Sequence, residues 1–180
     1  MQKLKPINIE NQVIMVHPLR QLDMARIDRI ENEIFEILGD DTTTQFIQGG
    51  RLPDKNAAAD RMFSFIMGYQ TGYSYAHFIT DKNTMTVIGL IEIISPERAK
   101  QSYKLDNYHW MITYYLHKDY WNQGIMTGIV RAFCQNIKEQ GINTIAAICH
   151  RKNWGSIRVL EKVGFRKTSS FDINQDYFEI

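Results

Sequence analysis

A short apolar run, Val13-Ile14-Met15-Val16, opens the pattern of the chain and predicts a strand. Pro18 suits the first turn of a helix, where its missing N–H costs nothing. Leu19, Leu22, Ile27, Ile30, Ile34 and Leu38 then keep mostly three- to four-residue steps, and Gly39 is a stop signal. Residues 40–56 contain Gly49-Gly50 and Pro53 and predict a long loop with room for a helical turn. Loops of that length in compact domains are often functional. Helical spacing resumes through Ala58, Met62, Ile66 and Tyr69 and ends at Gly72.

Three strand-like runs follow, at 73–80, 85–95 and 108–116. Asp81-Lys82-Asn83 is a turn between the first two, which predicts an antiparallel hairpin. Val87 to Ile91 is apolar on both faces, as a central strand requires. Residues 125–140 form the clearest helix, with Ile125, Ile129, Phe133 and Ile137 at four-residue steps and Gly141 closing it. A buried strand at 142–149, a helix at 154–163 capped by Gly164, and two closing strands at 165–170 and 171–180 complete the order. The pattern predicts a mixed α/β domain around one central sheet, with residues 1–180 as a single domain.

Composition narrows the function classes. With 21 basic and 20 acidic side chains the formal charge is +1, so overall charge gives no reason to infer nucleic-acid binding. Cys134 and Cys149 are too few for a thiolate zinc site or a disulfide framework, and both sit in apolar runs as small core residues do. No metal is expected. The first residues lack a signal-peptide core, and no run approaches the ~18 apolar residues of a membrane span. The expectation is a soluble, cytoplasmic protein without membrane partners.

The sharpest chemical signal is Tyr120-Trp121-Asn122-Gln123-Gly124-Ile125-Met126-Thr127-Gly128, between a strand and an amphipathic helix. The first N–H groups of a helix lack partners, and the helix dipole adds partial positive charge there. A glycine at the turn removes the Cβ that would keep a phosphate oxygen away from those donors. The same pattern also describes a tight turn without a ligand. A second segment, Asn153-Trp154-Gly155-Ser156, starts the next helix after a buried strand and runs on to Gly164-Phe165.

Together, Tyr115-Leu116-His117, Tyr120 to Gly124, Asn153 to Ser156 and Gly164-Phe165 resemble the GNAT superfamily. Within it they are most similar to the Rim-type branch of ribosomal-protein alanine and serine N-acetyltransferases. The resemblance is strongest from Tyr108 to Arg166. It implies a mostly antiparallel twisted sheet, flanked by helices and splayed between the fourth and fifth strands, with acetyl-coenzyme A as co-substrate in the gap. It further implies that Tyr115, Leu116 and His117 offer backbone groups to the pantetheine arm. Gln123, Gly124, Ile125, Met126, Thr127 and Gly128 would wrap the pyrophosphate, and Asn153 would hydrogen-bond the pantetheine, a role that can coexist with capping its helix. Lys162 and Arg158 are weaker phosphate candidates, since both fit a solvated face.

The implied reaction is attack of a neutral amine on the thioester, which requires a proton acceptor for the amine and a donor near the departing sulfur. Many members carry a tyrosine four residues after the Ser156 position; this chain has Leu160 there, so Ser156 is the donor candidate. Glu92, a carboxylate in the otherwise apolar 89–94 strand, is the base candidate, although it could equally face solvent or anchor an arginine. His109 and Asp119 are weaker choices. Relatives commonly have Glu where Gly128 stands. The acceptor would be a protein N-terminus, a polyamine or another small amine, and a homodimer is admitted. Residues 40–56 would wall the acceptor side, where Asp40 and Asp41 could draw a cationic acceptor or be an ordinary solvated loop end. The competing class is a non-catalytic acyl-coenzyme A sensor on the same fold. A mononucleotide-binding domain is disfavoured by the lack of a phosphate-loop lysine or an early glycine fingerprint.

Overall fold

The computed structural model describes residues 3–47, 49–105 and 108–180. The chain runs β1 (Ile9–Glu10), β2 (Ile14–His17), α1 (Ile27–Leu38), α2 (Asp41–Thr44), α3 (Lys55–Thr71), β3 (Ser74–Asp81), β4 (Thr86–Ile94), α4 (Pro96–Tyr103), β5 (Trp110–Leu116), α5 (Ile125–Glu139), β6 (Ile145–His150), α6 (Trp154–Val163), β7 (Arg166–Ser170) and β8 (Gln175–Glu179). The strands form one sheet in the order β1-β2-β3-β4-β5-β6-β8-β7, antiparallel except for the β5–β6 pair. No helix among the described residues is long and apolar enough to cross a membrane.

Two helical layers cover the sheet. α5 and α6 close one face, where Val130, Phe133 and Ile137 pack with Ile79, Ile91, Ile112 and Ala147. α1 and α3 close the other, where Ile34, Met62 and Phe65 meet Ala76, Phe78 and Leu90. Phe133 is fully buried, so truncation to alanine would cost about 3–5 kcal/mol. Both cysteines are unpaired and buried, as their apolar surroundings suggested.

Three elements differ from the sequence expectation. The first long helix starts at Ile27 rather than near Pro18, and Gln21–Arg26 is a 3-10 turn that leaves Leu22 exposed. Asp23 explains the delay: its side chain is drawn inside by Arg20 at 2.9 Å and by His17 at 3.7 Å, and it accepts the Arg20 backbone N–H. α4 falls between the strand-like runs at 85–95 and 108–116, where no element is predicted. Ser95 caps it through the Arg98 N–H and Pro96 sits in its first turn, but Ala99 is its buried contact, so apolar spacing does not reveal it. β1, two residues long, owes its existence to pairing with β2.

The β5–β6 pair positions the site. Its parallel register holds only at Trp110↔Ile145 and Met111↔Ala146, and the two strands then diverge. Exposure follows the divergence: Trp110 to Ile112 are buried, Thr113, Tyr114 and Tyr115 are half-buried, and Leu116 is buried again. On the neighbouring side, Ile79↔Gly89 is followed by Thr80↔Val87, which leaves Ile88 as a bulge in β4. Gly89 is needed there, because a Cβ would lie 2.5 Å from the Tyr115 carbonyl oxygen.

Candidate active site

The turn from β5 into α5 is braced by its own side chains. The Trp121 indole N–H donates to the Leu116 carbonyl at 2.7 Å, and Gln123 Nε2 donates to the Asp119 carbonyl at 3.0 Å. Asn122 and Gly124 take left-handed backbone, with φ of 60° and 76°. Gly124 is the N-cap of α5 and provides no side-chain acceptor; the helical ladder begins with Gly128 N–H donating to the Gly124 carbonyl. The N–H groups of Ile125, Met126 and Thr127 therefore occupy the first-turn positions that lack intrahelical acceptors, at the positive end of the dipole. A Cβ added at Gly124 or at Gly128 would meet no atom within 4 Å. The turn is thus open on its outer side, the geometry an anionic phosphate needs.

β5 presents one tyrosine to each face of the sheet, because side chains alternate along a strand. Tyr114 packs with the α5–α6 core and Tyr115 with the α1–α3 core. The Tyr114 hydroxyl lies 2.8 Å from Ser156 Oγ on α6, across the gap left by the diverging strands. Burial pushes the Tyr114 phenol far up, so it stays protonated and can serve as a hydrogen-bond donor. Asn153 caps α6 by accepting the Ser156 N–H at 3.2 Å, which engages its Oδ1 and leaves its amide N–H groups as donors. Leu160 is 1% exposed, belongs to the core and has no hydroxyl to offer.

Glu92 lies on the opposite face. It pairs across with Ala76 on β3 and with Thr113 on β5, so all three side chains share the α1–α3 side. Its side chain remains partly accessible while protein surrounds its carboxyl, as expected at the floor of an open cleft. Burial pushes its pKa up, against opposing effects of a hydrogen bond with Ser74 and the charges of Arg61 and Arg98. Tyr103 and Tyr115 belong to the same electrostatic neighbourhood, and burial raises both phenols. Thr113 Oγ1 is buried on the same floor, beside the Tyr115 phenol.

Residues 40–46 span the mouth of the divergence on this face. Asp40 Oδ2 pairs at 2.7 Å with Lys118, two residues beyond β5, and the Phe46 ring lies 5.2 Å from that of His150, the last residue of β6. The Lys118 hydrogen bond, helped by the Thr43 N–H, pulls the Asp40 carboxyl down to about 2. Asp41 pairs with Arg51. The long loop foreseen over 40–56, which includes residue 48 outside the described residues, therefore has its two leading acids each paired with a cation. Its expected helical turn is α2.

The structure gathers Ser156 and Asn153 at the start of α6, facing β5, and Gln123 to Gly128 at the start of α5. Tyr115, Leu116 and His117 close the end of β5; of their backbone groups, the Leu116 carbonyl accepts from Trp121 and the His117 N–H donates to the bulged Ile88 carbonyl. His109 is engaged elsewhere, with Glu179 at 3.2 Å and the Tyr177 hydroxyl at 3.3 Å, and Asp119 lies 3.7 Å from His117. Arg158 and Lys162 are exposed. Among the described residues no group of three or more His, Cys, Asp or Glu side chains could hold a metal ion. Sequence reasoning missed Tyr114, Arg61, Arg98 and Thr113. Strand parity beside Tyr115 could have found Tyr114; the other three come together only through the sheet register and helix packing.

A family model described as an acetyltransferase (GNAT) domain matches residues 19–166. No curated protein matches the chain. Among solved structures, a GNAT-family acetyltransferase from Bacillus anthracis superposes with a TM-score of 0.73 at 16% identity, covering 97% of this chain and 98% of that one. A ribosomal L7/L12 alpha-N-protein acetyltransferase, RimL, in complex with coenzyme A gives 0.72 at 15% identity, covering 97% of each chain. A ribosomal-protein-S5-alanine acetyltransferase from Vibrio fischeri gives 0.65 at 14% identity, covering 97% and 96%. At these identities the structural likeness concerns the fold.

Proposed function

The chain belongs to the GNAT acetyltransferase family, and from that premise we propose that it transfers acetyl from acetyl-coenzyme A to a primary amine by direct attack on the thioester. The observation that carries this reading is the end of β5–β6 pairing at Met111↔Ala146, which opens the sheet between Ser156 on one face and Glu92 on the other. The pyrophosphate would sit on the N–H groups at the start of α5 around Gly124, and the pantetheine would run along residues 115–117 toward Asn153.

The neutral amine attacks the thioester carbonyl, forming the new C–N bond while the carbonyl electrons shift to oxygen. Glu92, directly or through one water, accepts the proton the amine sheds. The intermediate collapses with cleavage of the C–S bond, and the Ser156 hydroxyl donates a hydrogen bond to the departing sulfur. Tyr114 is a positioning residue: its hydroxyl shares a 2.8 Å hydrogen bond with Ser156 Oγ, and when the phenol is the donor the serine proton is free to point at sulfur. The proton held by Glu92 returns to solvent or thiolate, giving amide and free coenzyme A thiol. Protein N-termini are the acceptor class favoured by the ribosomal-protein acetyltransferases that share the fold.

The test is to incubate the purified protein with acetyl-coenzyme A and a panel of N-terminal peptides and small amines while following thiol release. Amine-dependent release, with product mass raised by one acetyl group, is expected. Binding of acetyl-coenzyme A without amine-dependent release would favour the sensor instead.

A further inference from the structure

Resting on the acyl-transfer reading above, we propose that the acceptor amine carries a carboxylate, which Arg61 and Arg98 hold beside Glu92. An acidic mouth at Asp40 and Asp41 would have suited a polycation, but Lys118 and Arg51 neutralise those two groups. The charge left on the acceptor face is of the other sign. Arg61 follows Ala58 by three residues and precedes Phe65 by four, and both neighbours are buried against the sheet, so the half-buried Arg61 leaves α3 toward that side. Arg98 leaves α4 within its first turn, immediately after β4.

Half-buried Arg61 on α3 and exposed Arg98 on α4 thus flank the face that carries Glu92, and both charges reach Glu92 and Tyr103. Among the described residues neither side chain forms a hydrogen bond or an ion pair within 4 Å. Two guanidinium groups against one carboxylate leave a positive excess even with Glu92 ionised. A bare ammonium, and a polyamine more so, is repelled by that excess; an amine that brings its own carboxylate cancels it. Guanidinium presents paired N–H donors that match a carboxylate's two oxygens, and Thr113, opposite Glu92, adds a hydroxyl. The acceptor class is therefore a free amino acid or a peptide N-terminus with Asp or Glu in its first positions. Both sources share the amine-plus-carboxylate chemistry.

The experiment measures kcat/KM with acetyl-coenzyme A for four acceptor sets: free amino acids, peptides with an acidic residue at positions two or three, the same peptides with the amide residue there, and polyamines. Carboxylate-bearing acceptors should exceed their neutral counterparts by about tenfold or more, and the better of the first two sets identifies the source. In Arg61→Ala and Arg98→Ala, with folding checked by thermal melting, that ratio should fall toward one, and Arg98→Glu should invert it. A ratio near one in the wild type would overturn the proposal. So would an equal fall for every acceptor in both variants, since the arginines would then act only through the charge state of Glu92. Acetyl-coenzyme A binding without thiol release above background for any of the four acceptor sets would overturn the acyl-transfer reading and this proposal with it.

Discussion

Tyr114 on β5 and Ser156 on α6 approach to 2.8 Å between hydroxyl oxygens, bridging the place where the sheet opens. The buried phenol remains protonated, and where it is the donor of this pair the serine proton is free toward the cleft. Ser156→Ala should lower kcat roughly 10- to 100-fold, somewhat less than loss of a full oxyanion donor, with little change in acetyl-coenzyme A affinity. Tyr114→Phe should lower kcat less, and the double variant should be no slower than Ser156→Ala alone, as expected of coupled partners. Additive losses in the double-mutant cycle would separate the two residues, and full activity of Ser156→Ala would remove the serine from the mechanism.

As the proposed base, Glu92 would couple activity to a stability cost. Its folded pKa is raised above the ordinary carboxylate value by burial, so the protonated form is favoured in the fold. The stability it contributes is complete below the unfolded value and is lost as pH rises through the raised folded value. Glu92→Gln, which cannot ionise, should therefore gain stability relative to wild type as pH rises toward neutrality, while turnover falls and the rising acid limb of the pH profile disappears. Denaturant midpoints and kcat between pH 4.5 and about 8 read both effects. An unaltered pH profile would make solvent the proton acceptor.

The Asp40–Lys118 pair ties residues 40–46 to the end of β5. The Asp40 carboxyl is depressed from 3.8 to about 2, so its contribution is present above 3.8 and is lost as pH falls through 2. Asp40→Asn keeps the cap on the Thr43 N–H but removes the charge. The stability difference between wild type and variant should be constant at pH 5 to 7 and shrink toward pH 2, and high salt should reduce it. A difference independent of both pH and salt would assign the effect to capping alone.

Gly128 has helical backbone and open space around its missing Cβ. Gly128→Ala should stabilise the protein by about 0.5–1 kcal/mol through helix propensity, seen as a rise in Tm, with acetyl-coenzyme A affinity preserved. A large affinity loss would mean that the cofactor uses the space a methyl group occupies.

The strand–turn–helix unit of the proposed cradle was legible in the chain because it is nearly continuous: Tyr115 to Gly128 follow one another, and the four-residue apolar rhythm of α5 fixes its direction. Asn153 and Gly164 bracket α6 for the same local reasons, as N-cap and left-handed C-cap. The proposed acceptor face was not legible beyond Glu92. Arg61, Glu92, Arg98 and Thr113 come from α3, β4, α4 and β5, and only pairing register and helix packing bring them to one floor. Leu22 failed as a core residue because buried Asp23 set the local backbone in its place.

The most direct measurement is calorimetric titration of acetyl-coenzyme A into the wild-type protein and into Gly124→Glu. The glutamate must adopt left-handed backbone at φ 76° and puts a carboxylate into the open side of the α5 N-terminus, where the pyrophosphate is proposed to bind. One-to-one binding to wild type, and none detectable in a variant that still melts cooperatively, is the predicted result. Equal affinity in both proteins would contradict it.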